Sequence, residues 1–126
     1  MPHVIIEYTD NLKAASIPKL LKTINTTLLN HQDIIPIGGL RSRAIELSDY
    51  LVADGTQDDA FVHATLKIGK GRTEEEKKRL GDDLFRAIEQ HFSTIYKDRY
   101  LALSMEIYEF ISPTYKLNNI HQRYKK

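Results

Sequence analysis

What most constrains the fold of this chain is that one order of segments, extended then helical then extended, runs through it twice. His3 to Tyr8 is a short, β-branched apolar run that reads as a strand. Ser16 then stands as a helix cap with Pro18 in the first turn, and Ile17, Leu20, Leu21, Ile24 and Leu28 recur at helical spacing. Gly38 and Gly39 punctuate a turn, after which "LRSRAIEL" reads as extended. The second pass opens with "AFVHATLKI" and is closed by the glycines of "GKG". Its helix, "RTEEEKKRLGDDLFRAIEQHF", places Thr73 and Glu76 at capping-box spacing and three glutamates at the positive end of the helix dipole. Leu80, Leu84, Ile88 and Phe92 fall four residues apart on one face, joined by Phe85 and Ile95. In "YLALSMEIYEF", Leu101, Leu103, Met105 and Ile107 alternate with Ala102, Ser104, Glu106 and Tyr108, as in a strand with at least one buried face.

Strand-helix-strand units of this length join parallel strands by right-handed crossovers. Two of them predict an α/β (α+β) fold of duplicated β-α-β units, a four-stranded sheet with both helices on one face. The expectation is one domain over 1–126, with pseudo-repeats at about 2–57 and 58–112 and a C-terminal arm at 113–126, either an interface arm or a frayed end. The opposite sheet face is left bare, and an apolar bare face favours self-association.

Charge narrows the functional classes. Eighteen basic against 17 acidic residues leave a formal charge of +1, so no electrostatic footprint for nucleic acid or an anionic membrane is present. Without cysteine there is no disulfide, thiolate nucleophile or cysteine metal site, which fits a reducing compartment. The five histidines, His3, His31, His63, His91 and His121, form no compact ligand spacing, so no metal is expected. "GGLRSR" and "GKGR" complete neither GxGxxG nor GxxxxGK[ST], which argues against nucleotide binding. With no signal-like or membrane-length apolar run, the expected location is the cytoplasm.

Pro2 has two readings. It is an N-terminal stub, or, if Met1 is excised, a free secondary amine with a pKa near ~8 before the fold perturbs it, suited to general acid-base work. Arg41 and Arg43 share one side of a strand, while Arg72 sits between Gly71 and the cap Thr73. For each arginine, a solvated charge or local ion pair competes with carboxylate binding.

The stretches "MPH", "GLRSR", "VADG", "DDAFVHATLKIGKGR", "LALSMEI" and "NNIH" together resemble the tautomerase superfamily, whose small members such as 4-oxalocrotonate tautomerase read strand, Gly-Arg, acidic helix start. Within it, the longer resemblance is to the 5-carboxymethyl-2-hydroxymuconate isomerase family. The resemblance implies a tautomerase-like homotrimer that uses neither metal nor organic cofactor. It further implies an amino-terminal proline, Pro2, as the acid/base, with Arg41 and Arg72 binding carboxylates of the substrate; Arg43 is read as structural. Val62 and Leu12 stand where a second proline and a second such arginine would be needed, so one site per chain is expected. The implied reaction is ketonisation of a carboxylated 2-hydroxydienoate from aromatic-compound catabolism. A hydratase or dehalogenase on the same frame, and an oligomeric binding protein without chemistry, are the alternatives.

Overall fold

A computed structural model describes residues 1–125. The chain runs β1 (His3–Thr9), α1 (Ile17–Leu29), a 3₁₀ turn at Ile37–Gly39, β2 (Arg41–Leu47), β3 (Ala60–Ile68), α2 (Glu74–His91), a short α3 (Ser93–Asp98), β4 (Leu101–Glu109) and a second 3₁₀ turn at Ile120–Tyr124. The sheet order is β2-β1-β3-β4. β1 pairs parallel with β2, and β3 parallel with β4, while the central β1–β3 pair is antiparallel. The sheet is therefore mixed, with one crossover helix for each parallel pair.

Period-2 and period-3.6 patterns meet in one core. Val4 and Ile6 of β1 and Val62, Ala64 and Leu66 of β3 are buried against Leu20, Ile24 and Leu28 of α1 and Leu80, Leu84 and Ile88 of α2. Leu103, Met105 and Ile107 of β4 lean on the same cluster from the sheet edge. The α2 start is held by the capping box: Thr73 Oγ1 accepts from the Glu76 backbone N–H at 3.1 Å, and Glu76 Oε1 accepts from the Thr73 N–H at 2.8 Å. His31 at the end of α1 meets Asp83 of α2 at 2.7 Å, tying the two helices together.

Three local readings differ from expectation. Ser16 precedes α1 in the left-handed region at φ 51° with no capping hydrogen bond from its side chain, so the first turn relies on Pro18 and on packing. The second helix breaks at Phe92, whose fully buried ring anchors the bend, and Ile95 reaches the core from the separate α3. The bare face is also less apolar than expected. The register places His3, Glu7, Arg43, His63, Thr65, Lys67, Ser104, Glu106 and Tyr108 there, with Ile5, Ile45 and Phe61 as its main apolar members.

Candidate active site

The antiparallel centre of the sheet decides where the site lies. Because β1 opposes β3, the starts of β1 and β2 coincide with the ends of β3 and β4. His3 pairs with both Arg41 and Lys67, and Ile68 pairs with Glu109. Pro2, Arg41 and the loop leading to Arg72 thus meet at one end of the sheet, although 70 positions separate the first from the last. The two halves contribute different residues to this end because each enters it in the opposite chain direction.

Pro2 is buried, and its carbonyl accepts the Arg41 backbone N–H at 3.2 Å, the contact that starts β1–β2 pairing. Gly39 lies against it: a Cβ there would come within 3.5 Å of Pro2 Cδ. Arg41 reaches across the strand ends, with Nη2 3.3 Å from the Met1 sulfur. Arg72 is presented by a turn that requires Gly71 at φ 112°. Its Nη1 donates to Gly69 O at 3.1 Å and its Nη2 to Ile34 O at 3.0 Å, so two carbonyls from different loops hold the guanidinium in place. Its buried Nε–H has no partner among the described residues. At the start of α2 the capping box engages the backbone N–H groups of Thr73 and Glu76, beside the Arg72 side chain. Arg43 instead meets His3 Nδ1 at 3.0 Å on the bare face.

The charged groups acting on the N-terminal amine at this end are all cations. The N-terminal amine, carried by Met1, is held below its ordinary 8.0, first by burial and then by Lys116, Arg72 and Arg41. His3 is likewise pushed down, first by burial and then by Arg43 and Arg41. Such a site favours a neutral amine and an anionic ligand at once. Among the described residues, no group of three or more His, Asp or Glu is arranged to hold a metal ion, and no helix is long and apolar enough to cross a membrane.

The sequence reading missed the tail. It is not a frayed end: after β4, the chain crosses the sheet end and its last 3₁₀ turn packs on the Ile37–Gly39 turn. Asn118 Nδ2 donates to Gly38 O at 2.8 Å, and a Cβ on Gly38 would lie only 2.8 Å from His121 Cα. The Gly38-Gly39 pair was the available signal, since adjacent glycines mark close backbone approach as well as a turn. Between α1, the first 3₁₀ turn and this strap lies a 250 Å³ cavity lined by Asn25, Ile37, Arg41, Ile120 and Tyr124 among others.

A four-stranded mixed sheet with two helices on one face is a tautomerase-like fold. The solved structure described as "Q0 fused 4-OT wild type symmetric trimer" shares that fold with a TM-score of 0.63 at 18% identity, covering 95% of this chain and 98% of its own. Closer relatives narrow the class. The sequence model of 5-carboxymethyl-2-hydroxymuconate isomerase matches residues 2–124. A 5-carboxymethyl-2-hydroxymuconate Delta-isomerase of Escherichia coli is 43% identical over 128 residues, 99% of this chain and all of the relative. The crystal structure of a 5-carboxymethyl-2-hydroxymuconate isomerase from Deinococcus radiodurans R1 superposes with a TM-score of 0.96 at 51% identity, covering 99% of this chain and 95% of that one. The chain belongs to the 5-carboxymethyl-2-hydroxymuconate isomerase family, a family of enzymes.

Proposed function

We propose that the protein ketonises 5-carboxymethyl-2-hydroxymuconate or a closely related carboxylated 2-hydroxydienoate, with Pro2 as the proton carrier once Met1 has been removed. The observation that carries this reading is the placement of the N-terminal amine under burial and three cations, Lys116, Arg72 and Arg41, all of which favour its neutral form. Removing Met1 moves the amine one residue inward, onto buried Pro2. A neutral secondary amine there accepts the proton of the substrate's 2-hydroxyl and returns it to a carbon of the conjugated system. Arg41 and Arg72 hold substrate carboxylates and stabilise the negative charge that develops on the 2-oxygen. Arg72 suits that task because its guanidinium is fixed before substrate arrives. No cofactor enters this chemistry.

The same reading takes the two strand-helix-strand halves as diverged copies and the active assembly as a homotrimer. Its support is the likeness to a trimeric 4-OT structure and the partly apolar bare sheet face, where Ile5, Ile45 and Phe61 lie. The functional test is the absorbance of the dienol followed with purified, mass-verified protein after exhaustive chelation and dialysis. Decay of the dienol in proportion to enzyme concentration is expected. An inert protein, or activity that returns only on adding a divalent ion, overturns the reading.

A further inference from the structure

Two side-chain donors 77 positions apart in the chain converge on a single, poor acceptor. Arg41 Nη2 lies 3.3 Å and Asn118 Nδ2 3.5 Å from the Met1 sulfur. A thioether sulfur accepts hydrogen bonds weakly, whereas a carboxylate oxygen in the same place would be charge-assisted. The Asn118 amide is oriented by its neighbours. Its Oδ1 accepts the Ile120 backbone N–H at 2.8 Å, so Nδ2 must face the site, and Gly38 O takes one of its two hydrogens at 2.8 Å. The second hydrogen is the one directed at the sulfur. Contact of His121 with Gly38 fixes the strap that carries the amide, and Gly39, Met1 Cγ and Pro2 Cδ form the wall beside it.

We propose that Asn118 is a further substrate-binding residue. Its free N–H and Arg41 Nη2 together grip one substrate carboxylate at the position the Met1 sulfur occupies. This inference rests on the isomerase reading above. It also gives Met1 a second effect beyond blocking the Pro2 nitrogen: a retained Met1 fills the carboxylate position itself and competes with substrate. The strap thereby becomes part of the site, and the first and last tenths of the chain complete one binding pocket.

The test uses Met1-free wild type, Asn118→Ala and Asn118→Asp, verified by intact mass. Ketonisation kinetics are read beside calorimetric titration with propane-1,2,3-tricarboxylate and thermal melting. Loss of one hydrogen bond to a charged group predicts KM and the tricarboxylate Kd raised roughly ten- to a hundredfold in Asn118→Ala, with kcat little changed. Asn118→Asp should be weaker still, because it sets a carboxylate against a carboxylate. A purely structural amide gives the opposite order, since Asp keeps the acceptor for the Ile120 N–H, and its effect appears in the melting midpoint. Wild-type KM and Kd in Asn118→Ala, or Asp outperforming Ala, overturns the inference. An inactive wild type that still binds the tricarboxylate through Asn118 overturns the isomerase reading instead.

Discussion

Gly38→Ala sets one methyl group against the C-terminal strap. The added Cβ would sit 2.5 Å from Nδ1, 2.8 Å from Cα and 3.0 Å from Cγ of His121. Unstrained carbon contacts lie at about 3.5–4.0 Å, so the strap must retreat by roughly 1 Å. Turning the imidazole relieves the contacts to Nδ1 and Cγ, but the Cα is backbone and moves only with the strap. Overpacking that cannot relax costs about 1–3 kcal/mol. Here the strap can lift, so the loss is capped near the worth of what it surrenders, chiefly the Asn118 to Gly38 hydrogen bond at about 1 kcal/mol. Urea denaturation should therefore register a drop of about 1 kcal/mol. Substrate affinity should fall further than that, because the same 1 Å takes Asn118 Nδ2 out of hydrogen-bonding range of the carboxylate position. In a chain lacking residues 113–126, Gly38→Ala should change neither quantity. Equal effects of the substitution with and without the strap would refute the coupling of Gly38 to the site through His121.

Other expectations follow from the same geometry. Arg41→Ala and Arg72→Ala should each lose about 2–4 kcal/mol of transition-state stabilisation in kcat/KM, while Arg43→Ala, whose partner is His3, should do much less. Burial and the cations that hold the Met1 amine below its ordinary value should act likewise on a Pro2 amine, so under the proposed mechanism kcat/KM should rise with pH along an acid limb, and Arg41→Ala, by removing a cation, should move that limb upward. The sign for stability is the same. Between the folded and unfolded pKa the unfolded chain binds more protons, so stability rises with pH through that window and is lost as pH falls. Sedimentation at micromolar concentration should give three times 14.5 kDa, and a fully active monomer would contradict the proposed assembly.

Much of this was legible in the residues because it is local. Strand alternation in Leu101–Tyr108, the four-residue spacing of Leu80, Leu84 and Ile88 and the Thr73–Glu76 box are patterns within one element, and the elements formed where those patterns lay. Arg41 and Arg72 could be singled out by type and by neighbouring glycines, but their meeting with Pro2 depends on the antiparallel β1–β3 pair, which no local pattern specifies. Asn118 lies beyond even that reach. The segment from Phe110 to Asn119 has no period, and its position is set by contact with a turn 80 residues away. The Ser16 cap failed for a related reason: its spacing was right, but a left-handed backbone carries its side chain away from the helix amides.

One comparison reads out whether the chemistry needs a free amine at Pro2. Two preparations, one beginning at Met1 and one at Pro2 with intact masses differing by one methionine, are assayed for ketonisation side by side. In the first, the Pro2 nitrogen is an amide and the Met1 sulfur occupies the space between Arg41 and Asn118. The chain beginning at Pro2 should be fully active, and retention of Met1 should cost at least roughly two orders of magnitude, the lower scale of general acid-base catalysis. Equal rates from the two preparations would contradict the free-amine mechanism.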